Sequence, residues 1–386
     1  MRCRKKVALL IESSNGYARE LLQGIRTWQQ EHGAWAIRLS EHARGTPVPD
    51  WLCRWRGDGV IARIENPRIA TALKLTRMPV VDVSAALERP VFPRVASDSE
   101  AICQLAIEHF REQGFRHFAY CGDTRFLWSV RRSGFFRNQV RARGGAFSAY
   151  GEASGLRPAA AEAEIAAIAK WLKTLPKPVG VFACYDVRGH QVLEACKLAR
   201  LEVPLEVGVL GVHNDELLCE LCDPPLSSII PNARRAGYEA AALLAQMMAG
   251  NARPPAVQLI LPLGVAARQS TDVVAIKDEP VAAAARYIRE HAMQGIQVKD
   301  VLRAVPMSRT LLERRFRGVF GRSPGAYISK VRIEGVKTLL ATSALAVCEI
   351  ADRAGFEHAE YLSVAFRRAT GMTPSQYRAR HHTRRD

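Results

Sequence analysis

GVFACYDVRGHQVLEACKLARLEVPLEVGVLGVHND, residues Gly180–Asp215, holds one full strand–helix–strand period. Gly180–Ala183 and Val207–Val212 are short β-rich apolar runs bounded by polar residues, and each reads as a buried strand. Between them His190–Leu201 has the spacing of a helix. The same alternation extends outward. Val7–Ile11, Ala36–Leu39, Gly59–Ile64, Pro79–Val83 and His117–Cys121 read as further buried strands. Tyr17–Gln30, Asp98–Gly114 and Ala160–Leu175 read as helices between them. Alternation of this kind predicts an α/β fold, with parallel sheets covered on both faces. Ligands of such folds sit beyond the carboxyl ends of the strands.

Those strand ends are polar. Ser14, Asn15 and Tyr17 follow the first strand; Phe126, Trp128 and Arg131 follow His117–Cys121. Tyr185, Asp186 and Arg188 follow Gly180–Ala183; His213, Asn214 and Asp215 follow Val207–Val212; Asn232 follows the run Leu226–Ile230. Any one of these has a plainer reading as a helix cap or a surface charge. Five strand ends turning polar together point to a cleft. Amide, carboxylate and guanidinium groups beside aromatic faces suit a sugar, whose hydroxyls donate and accept and whose C–H faces pack on rings. Asp186 and His213 could pose as an acid/base pair. No nucleophile with its base, metal set, Gly-rich nucleotide loop or other cofactor motif accompanies them, so no cofactor and no enzyme activity is expected.

Charge points to a second function. The 386 residues carry a net charge of +17, of which +10 falls between Pro280 and Asp386. Nucleic acid is the leading partner for such an excess. From Pro280 onward the apolar periods are helical. Val298, Val301, Leu302 and Val305 form one stripe, Pro306-Met307 stops it, and Ser308 is a good N-cap for the next helix. That helix buries Leu312, Phe316, Val319 and Phe320, and shows Arg309, Thr310, Glu313, Arg314 and Arg317. The plan repeats. Val347, Ile350, Ala351 and Ala354 form a stripe ended by Gly355, and a following helix buries Tyr361, Leu362, Ala365 and Phe366. Its other face shows His358, Glu360, Ser363, Arg367 and Arg368. Tyr327–Leu340 is one helix between the two units. Two short helices with a tight turn, the second faced with Arg and small polar groups, match the motif that reads the major groove.

The nine cysteines are scattered, and Cys219 and Cys222 form a lone C-x-x-C with no second pair for a zinc site. They read as free thiols, which fits a cytoplasmic location. The basic start is followed by an apolar run too short for a signal peptide, and no stretch approaches the ~20 apolar residues of a membrane span.

The segments GYARELLQGI, VASDSEAICQLAIEHFREQGFRHFAYCGD, RRSGFFRNQV and ARQST, with the stretch from Val181 to Leu244, resemble the effector domain of the LacI/GalR regulators. The resemblance implies a two-lobed periplasmic-binding-protein fold with the ligand between the lobes. It implies Arg131, in R-x-x-G-F, as a clamp on sugar hydroxyls, and Asp186 and Asn232 as further hydrogen-bonding residues. Ser14, Asn15 and Tyr17 would line the mouth and Trp128 would stack on the ring. That family commonly has Asp where this chain has His213, so Asn214 or Asp215 substitutes there or the effector differs. The family's N-terminal DNA-binding headpiece is absent, since the first strand starts at Val7.

MSRTLLERRFRGVFGRSPGAYISKVRIEGVKTLL and ADRAGFEHAEYLSVAFRRATGMTPSQYR resemble the AraC/XylS family, with its signature at Ile350, Ala351, Gly355, Phe356, Tyr361, Phe366, Gly371, Pro374, Tyr377 and Arg378. By that resemblance the base readers are Arg309, Thr310, Glu313 and Arg314 in the first unit, and His358, Ala359, Glu360 and Ser363 in the second. Ser308, Arg317 and Arg367 flank them. Gly335-Val336 departs from the family's better helix formers, where Gly costs up to ~1 kcal/mol relative to Ala. The combination resembles the XylR-type regulators of xylose operons. It implies a pentose effector such as D-xylose, double-stranded operator DNA, transcriptional activation with RNA polymerase as partner, and a homodimer. The expected domains are 5–271 for the sensor, 272–279 for a linker, 280–380 for the DNA-binding part and 381–386 for a basic tail.

Overall fold

The computed structural model describes residues 4–39, 46–151, 161–250, 255–272 and 279–381. The chain begins with β1 (Lys6–Leu10), α1 (Gly16–His32), β2 (Ala36–Leu39), α2 (Trp51–Arg54), β3 (Gly59–Ala62), α3 (Pro67–Leu75), β4 (Val80–Asp82) and β5 (Arg94–Ser97). It continues with α4 (Ser99–Glu112), β6 (His117–Cys121), α5 (Leu127–Ala142), β7 (Phe147–Tyr150), α6 (Ala161–Thr174), β8 (Val179–Ala183) and α7 (Asp186–Ala199). Then come β9 (Val207–Val212), α8 (Glu216–Leu221), β10 (Ser227–Ile230), α9 (Ala233–Met248), β11 (Val257–Ile260) and β12 (Gly264–Ala266).

These strands form two six-stranded sheets, ordered β11-β5-β4-β3-β1-β2 and β12-β10-β9-β8-β6-β7. Each sheet is the centre of one α/β lobe. The fully apolar strands β3, β8 and β9 are buried along their whole length, as parallel strands covered on both faces must be. Two expectations need correction. β2 is exposed along its whole length because it is the edge of the first sheet, paired only with β1. The second sheet is not wholly parallel, because β12 runs antiparallel to β10 at its other edge.

The chain crosses between lobes after β5, after β10 and after β11. The crossings are bonded together: Asp98 N donates to Ile260 O at 2.9 Å, and Leu263 N to Ile230 O at 2.8 Å. In the first lobe α1 and α9 pack backbone to backbone. A methyl added at Gly24 would lie 1.9 Å from Arg234 O, and one at Gly237 would lie 2.0 Å from Leu21 O. Only glycine permits that approach from both sides. In the second lobe Ser270 and Thr271 are fully buried against β9 and β10, so this part ends inside the second core. Most of the expected linker, residues 273–278, and the tail from residue 382 lie outside the described residues.

The remainder is helical: α10 (Glu279–His291), α11 (Val298–Ala304), α12 (Arg309–Phe320), α13 (Pro324–Thr342), α14 (Val347–Arg353), α15 (Ala359–Thr370) and α16 (Pro374–His381). One core gathers Ile288, Val301, Leu312, Phe316 and Tyr327; the other gathers Val336, Ile350, Leu362, Phe366 and Tyr377. The two units are register copies. Leu312, Phe316, Gly321, Pro324 and Tyr327 recur fifty residues on as Leu362, Phe366, Gly371, Pro374 and Tyr377. Gly321 and Gly371 both take the left-handed conformation and close α12 and α15 on Arg317 O and Arg367 O. α13 belongs to both cores. Its 19 residues span about 28 Å, close to one turn of DNA. Gly335 has a packing reason: a methyl there would lie 2.4 Å from Met293 Sδ, where the turn after α10 packs on α13.

Candidate functional site: an interlobe cleft and two reading helices

The cleft between the lobes is lined by Tyr17, Arg63, Ser84, Ser97, Trp128, Arg132 and His213, with small apolar neighbours. Tyr17 comes from the first turn of α1 and shares a hydrogen bond with Ser97 at 3.2 Å. Its ring lies 4.9 Å from that of His213, which follows β9 with φ +113°, strained for a non-glycine residue. Trp128, at the start of α5, stacks on Phe126 at 5.3 Å and meets the edge of Tyr185 at 5.9 Å. Arg63 follows β3, stands 5.5 Å from the Tyr17 ring, and is ion-paired with Glu12 and Glu65.

Behind this wall the other expected residues are bonded to one another. Asp186 is 2 % exposed in the first turn of α7. Its Oδ1 accepts from Ser228 Oγ at 2.5 Å and its Oδ2 from Asp215 N at 2.9 Å. Burial pushes its carboxyl up to about 7, against the pull of those two hydrogen bonds. Gly211 makes the room, since a methyl there would lie 2.4 Å from Asp186 Oδ1. Asp215 then reaches across to the first lobe, accepting from Gly16 N at 2.9 Å. A continuous polar chain thus joins the lobes: Ser228, Asp186, Asp215 and the N-terminus of α1.

Of the sequence-derived contacts, Tyr17, Trp128 and His213 come together on the cleft wall. Asn15 caps α1 by accepting from Ala18 N at 2.9 Å, and Asn232 caps α9 through Arg235 N at 3.3 Å. Asn214 accepts from Arg268 at 2.9 Å. Ser14 is exposed. Arg131 is not on the cleft wall; it turns toward the loop after β4 and donates to Leu87 O at 3.4 Å and Glu88 O at 2.5 Å. The neighbouring Arg132 takes the cleft position, because the buried face of α5 runs through Ser129, Arg132, Ser133, Phe136 and Val140. Three of those five residues are polar, so the stripe gave no apolar signal in the sequence. Arg63, Ser84 and Ser97 were also missed, though each lies at or just beyond a strand's carboxyl end.

The reading helices hold their candidates outward. Ser308 caps α12 through Leu311 N at 3.4 Å. Arg309, Thr310, Arg314 and Arg317 are exposed, and Arg309 pairs with Glu313 at 3.1 Å. On α15 Glu360 and Arg367 are exposed, Ala359 is half-buried, and Ser363 Oγ donates to Ala359 O at 2.9 Å. His358 precedes the helix, 5.6 Å from the Tyr361 ring. Tyr361 corrects an expectation: it is 61 % exposed, because Leu362 and Phe366 alone fill the core on that turn, and Ala365 is half-buried beside them. The two halves touch where Glu112 of α4 pairs with Arg322 at 3.5 Å and with Lys330 of α13. Nearby, buried His109 bonds Thr271 at 2.7 Å.

Three domain-family profiles match: a XylR N-terminal domain over residues 6–100, a periplasmic binding protein-like domain over 107–271 and a helix-turn-helix domain over 301–380. The xylose operon regulatory protein of Escherichia coli strain K12 is 33% identical over 390 residues, covering 97% of each chain. This chain belongs to the xylose operon regulatory protein family. The Haemophilus influenzae member is 30% identical and covers 97% of this chain and 98% of its own. A solved structure described as the xylose-binding transcription activator XylR is 31% identical with a TM-score of 0.63, covering 99% of both chains. The regulator CelR in complex with cellobiose shares the fold of the first two lobes, at 20% identity and a TM-score of 0.57 over 70% of this chain. As a member of the xylose operon family, the chain is a DNA-binding transcription regulator. Among the described residues no helix is long and apolar enough to cross a membrane.

Proposed function

We propose that this regulator controls xylose-utilisation genes and is switched by a small sugar or sugar-derived effector held between the two lobes. D-xylose is the first candidate, by the names of its relatives. The observation that carries the reading is one chain in which an aromatic and guanidinium-lined cleft is followed by two register-copied helix-turn-helix units. Trp128 would stack on the effector's C–H face. Arg132, in the place expected of Arg131, would bond its oxygens, with Tyr17, Ser97 and His213 around it. Arg309, Thr310, Glu313 and Arg314 would read one segment of operator, and His358, Ala359, Glu360 and Ser363 the next. Arg317 and Arg367 would hold phosphates. The sensor is taken as 5–271, the linker as 272–279, the reader as 280–380 and the tail as 381–386.

In this reading the regulator is a cytoplasmic homodimer that activates transcription with RNA polymerase and does no chemistry on its effector. Closure of the lobes reaches the reader because Ser227, next to Ser228 on β10, bonds Thr271, and Thr271 bonds His109. Glu112, one turn along α4, holds Arg322 and Lys330. A ligand shifts this equilibrium only by binding one arrangement more tightly than the other.

Two measurements test the proposal. Selection from a random duplex pool should enrich one sequence with two segments about a helical turn apart; no enrichment would sink the regulator's specificity. Thermal melting of the full chain should rise with a sugar or sugar-derived ligand, with ~2.7 kcal/mol of stabilisation available at a hundred times the dissociation constant. No rise with any of them would remove the effector.

A further inference from the structure

α12 and α15 are copies in their buried residues, and they differ at the middle of their outward faces. Successive helical residues turn by about 100°, so Val364 lies about 160° around α15 from both Leu362 and Phe366, the side chains that fill the core beneath. Val364 is therefore the centre of the face that points away from the protein. Fifty positions earlier, at the centre of the same face of α12, stands Arg314. A guanidinium in one unit is an isopropyl group in the other.

Val364 is 70 % exposed, and Tyr361, one turn before it, is 61 % exposed. Among the described residues of the helical part, these two are the large apolar side chains left in solvent. Glu360, Arg367 and Arg368, all exposed, frame them. Single apolar groups on a surface are ordinary, but a pair on one turn at the middle of a reading face marks a contact surface. The two flanking arginines suit a partner rich in phosphate, and continuity with the face of α12 makes that partner the same duplex. Val364 has no side-chain atom that can hydrogen-bond to a base edge. The apolar group that base edges show in the major groove is the C5 methyl of thymine.

We propose that Val364 reads a thymine, through its C5 methyl, in the operator segment that faces α15. The proposal rests on α12 and α15 being the two DNA readers. It adds to them a residue that discriminates by methyl contact, where Arg314 in the other unit discriminates by hydrogen bonds.

The test uses the full chain and the duplex enriched from the random pool. Each thymine of that duplex is replaced in turn by deoxyuridine, which keeps every hydrogen-bonding group and removes the methyl. One replacement, in one of the two segments, should weaken wild-type binding about three- to fivefold, the worth of a buried methyl group. Val364→Ala should bind the unmodified duplex weaker by a similar factor and be indifferent to that replacement, since each change removes one side of one contact. Val364→Arg, which copies Arg314, should move the preference at that position to guanine. Both variants should melt as wild type does, because the side chain is exposed. Wild-type tolerance of deoxyuridine at every position overturns the inference and leaves both readers in place. Sensitivity that persists unchanged in Val364→Ala overturns it too, and gives the methyl to another side chain. If Val364→Ala binds every duplex as wild type does yet loses activity at a reporter gene, the patch meets a protein partner and the inference falls. Absence of any enriched sequence overturns it together with the reading of α12 and α15.

Discussion

Behind the cleft wall, Asp186, Asp215, Asn15, Asn214 and Asn232 direct hydrogen bonds at the protein itself. On α12 and α15, Thr310, Arg314, Glu360 and Arg367 face solvent and hold no other described residue. The contrast follows from what each region does. A cleft between two lobes must hold its shape while empty, so most of its polar groups position a few that face the ligand. A reading helix must leave its side chains available for base edges and phosphates, and its shape is held by an apolar core beneath. Changes in the cleft should therefore register in stability and its pH dependence. Changes on the readers should register in DNA binding alone.

The largest effect is expected at Asp186. Asp186→Ala would leave the Asp215 amide and the Ser228 hydroxyl without a partner, each costing about 1–3 kcal/mol. Asp186→Asn keeps an acceptor for the amide and separates geometry from charge. In the folded protein the Asp186 carboxyl is pushed up to about 7 by burial, from an ordinary value of 3.8. An acid with a raised folded-state value binds its proton more tightly in the native state. Its contribution to stability is therefore greatest below pH ~4 and declines as pH rises toward 7. His109 has the opposite slope: burial, then Lys330 and Arg289, lowers it to about 3, so its contribution declines as pH falls below 6.5. The two are separated by comparing wild type with Asp186→Asn at each pH. The Asn variant should gain on wild type from pH 5 to pH 8, by an amount on the order of a few kcal/mol at most. Parallel melting curves across that range would show that Asp186 carries no such penalty.

A middle-sized effect is expected at Arg314, and on the other observable. Arg314→Ala should lower affinity for the selected duplex by about 1–3 kcal/mol and relax the preference at one position. Its melting midpoint should stay within the ordinary surface range, about 0.5 kcal/mol either way. A variant that melts early while keeping its DNA affinity would reverse the contrast between the regions.

The same contrast decides what the sequence revealed. The strands buried on both faces, β1, β3, β8 and β9, announce themselves as unbroken apolar runs. β7 and β11 are sheet edges, half-buried or exposed except at Ile260, and carry no such run; β2, also an edge, has apolar residues that solvent covers. The reading helices were largely legible because exposed and buried positions alternate with a fixed period over a repeated core; Val319 and Ala365 are half-buried rather than buried, and Tyr361 broke the pattern because Leu362 and Phe366 already fill the space. The cleft was legible only as a set of strand ends. Which member of the pair Arg131-Arg132 points inward depends on the phase of α5, and adjacent helical positions differ by about 100°. Asp186 was expected as a ligand residue from its chemistry, and the bonds it makes in the folded chain come from Ser228 and Asp215, distant in sequence.

The smallest effect is expected at Glu360, and its sign is the informative part. At the fifty-residue offset α12 presents Arg309, Thr310, Glu313 and Arg314 where α15 presents Ala359, Glu360, Ser363 and Val364, while Arg317 and Arg367 correspond. Glu360 is exposed, so its removal touches no packing. Near phosphates its charge opposes binding, and near a cytosine amino group it assists. If the second unit mainly adds position on the duplex, Glu360→Gln should strengthen binding to all duplexes by under ~1 kcal/mol and leave the selected sequence unchanged. If α15 reads bases as α12 does, the same change should weaken the selected duplex alone. Gel-shift titration of selected and scrambled duplexes at one salt concentration separates the two, because the first outcome moves both curves together and the second moves only one.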